Sequence, residues 1–271
     1  MRVLVTNDDG IHSPGLAALA GAAGDLGPTT VVAPAAEQSG VGLTITYRHP
    51  LMLREVHRGG DLFGYAVDGS PADCAKLGAL ELCPTYHGGR PDVILSGINV
   101  GANVGVGVLY SGTVAGAIEG AFHGVTSVAV SSVGRDPADW DRLARYAVGV
   151  VSDLLAAGPP AGSLWNLNLP ACDDLPGGLP RGLKAVPCSL TRRGDLLERR
   201  ESPEGRPYYW TGMDPATSGD PHPDTDAGAL AAGFASLTPL RYDLTDPAGF
   251  ALLRPLPTVA DSSSPGPPGG D

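Results

Sequence analysis

Short apolar runs at residues 2–6, 29–33, 92–96, 126–131 and 164–168 alternate with stretches of helical spacing at 14–26, 71–80, 113–123 and 137–157. Strand–helix alternation of this kind is satisfied by parallel strands joined by crossover helices, which cover both faces of the sheet. The chain is therefore expected to be an α/β protein. It should have a mostly parallel twisted sheet with helices on both faces, a Rossmann-like three-layer arrangement. Ser13-Pro14 and Ser70-Pro71 each place a capping hydroxyl before a proline at the first helical position. Asp136-Pro137 opens the last helix and Gly158-Pro159 closes it. Trp140, Leu143, Ala144, Ala147, Val151 and Leu154 fall on one of its faces. Leu43–Thr46 and Leu51–Leu53 read as short antiparallel strands. After Pro170 turns multiply, and residues 183–212 and 234–242 read as isolated strands. The expected organisation is an α/β catalytic core at 1–170, then a β-rich extension and oligomerisation arm packing on it at 171–257, with a disordered tail at 258–271. Residues 261–271, DSSSPGPPGGD, hold no apolar side chain to anchor them.

Composition narrows the function. Of 271 residues 42% are hydrophobic, enough for a sizeable core, and the formal net charge is −11. Such an acidic surface repels a nucleic-acid backbone, and no basic cluster exceeds Arg192-Arg193 or Arg199-Arg200. A small phosphorylated substrate is not excluded, because it would meet a local field rather than the net charge. No apolar run approaches membrane-spanning length. The first strand starts at residue 2 with no leader-like run before it, so a cytoplasmic location is expected. Cys74, Cys83, Cys172 and Cys188 are scattered without C-x-x-C spacing and read as reduced thiols.

Three segments carry chemistry-bearing residues. Asn7-Asp8-Asp9-Gly10 follows the first strand, at the end of a sheet where α/β proteins bind ligands. Two adjacent carboxylates repel, and a hard cation such as Mg²⁺ or Mn²⁺ would relieve that; a solvated turn is the other reading. Glu37-Gln38-Ser39-Gly40 follows the second strand and offers a hydroxyl, or is simply a turn. Ser96-Gly97-Ile98-Asn99 ends the strand beginning at Asp92, and a Gly/Asn-rich loop leads to Ser111-Gly112-Thr113 at a helix start. Backbone amides in such a loop can approach an anion closely, and the helix N-terminus is a ready anion site. A flexible connector is the alternative. Neither the Walker pattern nor G-x-G-x-x-G is present.

VTNDDGIHSPG, VAPAAEQSG, VDGSPADC, LSGINVGANVG, YSGTVAGAIEG, WNLNLP, RPYYW and TDAGALAAGFASLTPL occur in this order between residues 1 and 245. Together they resemble the survival protein E (SurE) family of metal-dependent 5′-nucleotidases. The resemblance implies one divalent cation per subunit, Mg²⁺ or Mn²⁺, held by Asp8, Asp9, Ser39 and Asn99, with phosphate near Asn99 and the YSGT turn. It also implies intersubunit contacts in the C-terminal region. The chain departs from the usual pattern at Ala35-Ala36-Glu37, at Val41-Gly42 and in its Gly/Pro-rich C-terminus.

The function expected is hydrolysis of nucleoside 5′-monophosphates, or of 3′-monophosphates, by a homodimer or homotetramer. A non-catalytic nucleotide- or phosphate-binding regulatory protein is the alternative. Asp8, Asp9, Asn99 and Ser111 are the expected catalytic residues. Asp8 or Asp9 would position water or act as nucleophile, while Asn99, the loop amides and Ser111 would meet phosphoryl charge. A phospho-switch is disfavoured because the candidate central strand ends Leu95-Ser96-Gly97, with no acceptor Asp. His12 reads as a turn residue rather than a base, and Glu119 as a packing or surface residue. Asp73 has a structural role in its helical turn, Asp68 is a weak site candidate, and Asp226 should cap or pair within the extension.

Overall fold

The computed structural model describes residues 1–133, 139–190, 195–213 and 221–250. Met1–Leu240 and Arg241–Asp271 form two compact units. In the second, only 241–250 are described, and there Asp243 and Asp246 accept main-chain bonds from Thr245 and Ala248 at 2.9 Å each. The expected tail at 258–271 lies outside the described residues.

The first unit is built on a mixed sheet. Its strands are β1 (Val3–Thr6), β2 (Thr29–Pro34), β3 (Leu53–Arg58), β4 (Asp61–Val67), β5 (Val93–Val100), β6 (Thr126–Ser132), β7 (Leu164–Leu169), β8 (Leu183–Ala185) and β11 (Ala235–Leu240). Their order is β3-β4-β2-β1-β5-β6-β7-β11-β8. From β4 to β7 every pairing is parallel; β3 and β11 run antiparallel to β4 and β7, and β8 pairs parallel with β11. Thus β8 and β11 are not isolated strands but widen the central sheet. β9 (Asp195–Glu201) and β10 (Pro207–Met213) form a separate antiparallel hairpin.

Alternation along each strand sends side chains to two cores. Val3, Val5, Val93 and Leu95 pack with Leu16 and Leu19 of α1 (Pro14–Ala23) and Leu143 and Val151 of α5 (Trp140–Ala156). Leu4, Val32 and Ile94 face Cys74 of α2 (Pro71–Leu77), Ala79 and Leu82 of the following π-helical turn, and Cys83 of α3 (Cys83–His87). α4 (Gly112–Phe122) shares that second face with α2. The expected α/β class with helices on both faces is the one observed.

Some boundaries differ for identifiable reasons. Ser13 precedes α1 but its hydroxyl makes no capping bond, and α1 ends at Ala23 before Gly24. Ser70 does cap α2, in a reciprocal box with Asp73. α5 begins at Trp140 with Asp139 accepting from Arg142 N at 2.8 Å; Asp136-Pro137 lies outside the described residues. Leu43–Thr46 is not a strand. Side chains take its backbone groups instead: Asp73 accepts from Thr46 N at 3.0 Å, and Ser70 Oγ donates to Thr44 O. The second short strand expected nearby runs as β3, from residue 53 to 58.

Two glycines set the depth at which α4 docks. A Cβ on Gly116 would lie 2.9 Å from Ser96 Oγ, and one on Gly120 only 2.5 Å from Ile94 Cδ1. Without side chains there, α4 lies directly on β5 and β6, and its N-terminus reaches Asp8 at the carboxyl end of β1.

Candidate active site

Asp8 and Asp9 follow β1, and neighbouring strands bring the other expected residues to the same end of the sheet. Asp8 O accepts from Gln38 N at 2.8 Å, which ties the loop after β2, with Ser39, to the carboxylate pair. Asp9 Oδ2 accepts from Val100 N at 3.2 Å, beside Asn99. A Cβ on Gly112 would stand 2.8 Å from Asp8 Cβ, so the start of α4 abuts Asp8 with Ser111 next in the chain.

Asn99, Ser39 and Ser111 are each fixed by one hydrogen bond. Asn99 Nδ2 donates to Gly101 O at 2.7 Å, which leaves its amide oxygen for another donor or a cation. Ser39 Oγ donates to Glu37 Oε1 at 2.6 Å and keeps lone pairs free. Ser111, buried, caps α4 by accepting from Val114 N at 3.1 Å, so its O–H proton remains to be donated.

Burial raises the Asp8 carboxyl above the ordinary carboxylate range, opposed by its bond from Thr113 and reinforced by Glu37. Asp9, half-buried, is pushed up to about 6, first by desolvation, then by the charge of Asp8, against the pull of Val100 N–H. Burial leads both shifts, and like charge adds to each, from Glu37 at Asp8 and from Asp8 at Asp9.

Sequence reasoning passed over the support behind Asp8. Thr113, fully buried, donates its hydroxyl to Asp8 Oδ1 at 2.5 Å. Asn103 stands behind it: its Nδ2 donates to Ser131 Oγ at 2.8 Å and to Thr113 Oγ1 at 3.4 Å. Asn166 and Asn168 of β7 both donate to Asn103 O, and Asn168 Oδ1 accepts from Asn103 N. The signal was the spacing of two asparagines two apart in an apolar strand, which puts both on one face.

Other candidates lie elsewhere. His12 is exposed and lines a cleft with Arg58, Asp139 and Trp140 beside α1. Asp68 is exposed and pairs with Arg54 at 3.3 Å. Glu119 is buried between Lys76 at 3.0 Å and His123 at 3.2 Å, a packing role. All four cysteines are free thiols. Among the described residues no cluster of three His, Cys, Asp or Glu side chains could hold a metal, and the donor set here draws only two members from those types. Nor is any described helix long and apolar enough to cross a membrane.

Known proteins resemble this chain over most of its length. A family model described as "Survival protein SurE" matches residues 3–193. A protein named 5′-nucleotidase SurE from Rhodopirellula baltica is 46% identical over 245 residues, 90% of this chain and 94% of its own. The 5′-nucleotidase SurE 1 of Thermus thermophilus is 43% identical over 248 residues, 90% of this chain and 93% of its own. The crystal structure of the SurE protein from Aquifex aeolicus matches with a TM-score of 0.78 at 34% identity, covering 94% of this chain and 100% of that one. Matched by the family model over residues 3–193, by relatives more than 40% identical over nine-tenths of its length and by the fold, the chain belongs to the SurE family.

Proposed function

We propose that the protein is a 5′-nucleotidase, a phosphoric monoester hydrolase that releases phosphate from nucleoside 5′-monophosphates in the cytoplasm. One divalent cation per subunit, Mg²⁺ or Mn²⁺, is held by Asp8, Asp9, Ser39 and Asn99. The observation that carries this reading is the meeting of Asp8 and Asp9 with the Ser39 loop, Asn99 and the start of α4, in a chain 46% identical to a protein named 5′-nucleotidase.

The residues suit such a cation. All four donors are hard oxygens, and two are adjacent carboxylates withdrawn from water, which a cation would neutralise. Gly112 leaves room beside the pair, since a Cβ there would come within 2.9 Å of Asp8 Oδ2. When bound, the cation supplies Lewis-acid polarisation of the phosphoryl group.

The chain supplies the rest. Thr113 and Val100 N–H each hold one oxygen of Asp8 and Asp9, fixing the carboxylates that orient the attacking water. Ser111 donates its hydroxyl proton to a phosphoryl oxygen, and the first N–H groups of α4 face the same charge with the helix dipole behind them. These donors act most strongly where charge grows in the transition state. The subunit assembles as a homodimer or homotetramer through the β9–β10 hairpin, which exposes Leu197, Tyr209 and Trp210 to 65%, 59% and 59%. A lone two-stranded hairpin is poorly stable, and a second subunit would cover it.

The test is phosphate release from a panel of nucleoside 5′- and 3′-monophosphates, before and after exhaustive chelation. The expected result is release from the 5′-esters, lost on chelation and restored by Mg²⁺ or Mn²⁺. Full activity after chelation rejects the cation; no release from any ester rejects the nucleotidase.

A further inference from the structure

Asp226 opens α6 (Asp226–Ala231) and is fully buried. Its carboxylate accepts three main-chain hydrogen bonds, from Gly105 N at 2.7 Å, Ser189 N at 2.8 Å and Ala227 N at 2.7 Å. The sequence suggested capping or pairing within the C-terminal segment. Ser189 and Ala227 fit that, but Gly105 belongs to the glycine loop of the candidate active site. Capping does not explain Asp226, because Thr225 already caps α6 by accepting from Gly228 N at 3.3 Å.

Gly105 is fitted into this junction from both sides. It has φ +59°, and a Cβ on it would stand 2.5 Å from Ser189 O. It also begins the 3₁₀ turn Gly105–Leu109, which ends at Tyr110, immediately before Ser111. Tyr110 O accepts from Gly42 N at 3.0 Å, in the loop that carries Ser39. The turn between Asn103 and Ser111 is therefore held at its start by Asp226 and at its end by Gly42. A carboxylate receiving three N–H groups makes a rigid anchor, because charge-assisted bonds are the stronger kind.

We propose that Asp226 is a positioning residue for the phosphatase reaction. By joining Gly105 to Ser189 it sets where the glycine-loop amides and Ser111 stand against the phosphoryl group. Asp226 lies beyond residues 3–193, the span matched by the family model, so the C-terminal segment contributes to the site without touching substrate. This rests on the nucleotidase reading above.

The test uses the full chain with Asp226→Asn, which keeps shape but loses one acceptor, with Gly105→Ala, which breaks the junction from the loop side, and with both together. Each single change should lower kcat about tenfold or more, as misplacement of a preorganised group does. Cation affinity should stay within about twofold, since the four oxygen donors are held by other contacts. The double variant should be no worse than the poorer single, because both break one junction. Hydrogen exchange should be slow at Gly105 and Ser189 in the wild type and fast across 104–110 in the variants. Wild-type kcat in Asp226→Asn overturns the proposal, as do losses that multiply in the double variant or cation affinity falling in step with kcat. Should Asp226→Asn not fold, Gly105→Ala and wild-type exchange decide, and rapid exchange at Gly105 and Ser189 rejects the junction. A wild-type protein that releases no phosphate rejects the nucleotidase reading instead, and exchange still tests the junction by itself.

Discussion

Replacing Asp9 by Asn should stabilise the cation-free protein and weaken the cation-loaded one. Without a cation, the folded state holds the Asp9 carboxyl at about 6 against an ordinary 3.8. A group raised in this way contributes stability that is fully present below 3.8 and is lost as pH rises through about 6, so at pH 7.5 its ionisation opposes folding. The rise from 3.8 to about 6 corresponds to roughly 3 kcal/mol. Solvent screening at a half-buried carboxylate reduces this to about 1–2 kcal/mol. For a chain of this size that amounts to an increase of about 2–6 °C in Tm. With a cation at about a hundred times its Kd, the wild type gains about 2.7 kcal/mol that the variant largely forgoes. Thermal melts at pH 7.5, with chelator and with excess Mg²⁺ or Mn²⁺, should therefore cross: Asp9→Asn melts higher with chelator, the wild type higher with cation. The variant's advantage under chelation should shrink at pH 4.5, where the folded wild type holds this carboxyl protonated. A variant less stable than wild type under chelation at pH 7.5, or equal stabilisation of both by cation, would refute the reasoning.

Thr113→Val, close in shape, should lower kcat by about tenfold or more by freeing Asp8 Oδ1, with a smaller effect on KM; an unchanged kcat in steady-state assays rejects this role. Cation affinity, followed by titration calorimetry, should fall as pH drops through about 6, because protons compete for Asp9; affinity flat from pH 7.5 to 5 contradicts that. Light scattering should report an oligomer for the full chain and a smaller species when Leu197, Tyr209 and Trp210 are changed to Ser. A full-length monomer at micromolar concentration rejects assembly through the hairpin. A chain ending at Ala260 should match the full chain in Tm and kcat/KM, since DSSSPGPPGGD has no apolar side chain to bury; a loss of several degrees shows that the segment docks.

The parts of the fold legible in the sequence were those that periodicity and local caps determine alone. β1, β2, β5, β6 and β7 are apolar runs bounded by turn residues, and α4 begins at a Ser that does cap it. What escaped was decided at long range. Leu43–Thr46 has strand composition, yet Ser70 and Asp73 capture its backbone from more than twenty residues away. Ser13 looks like Ser70 in sequence, but its hydroxyl finds no partner at the helix start. β8 and β11 read as isolated because each pairs with a strand distant in the chain, β8 with β11 and β11 with β7. At the site, the acidic pair, Ser39, Asn99 and Ser111 stood out through unusual local strings. Thr113, Asn103 and Asp226 did not, because each matters through a contact that no local pattern encodes.

The bare surface that Gly116 and Gly120 present to the sheet has a bearing on how the enzyme fails. Most binding sites sit on segments that open with little cost and melt ahead of the rest. Here the helix bearing Ser111 and Thr113 shares its contact plane with Ile94 and Ser96 of the central strand. Its first turn therefore has no soft mode of its own, and fraying there would require lifting the helix from the innermost layer of the protein. The bonded amides of α4 from Val114 and Ala115 onward should exchange at the rate of global unfolding rather than through local opening. On heating, catalysis should then persist undiminished to the same temperature at which the core comes apart, with no earlier, separately melting active state.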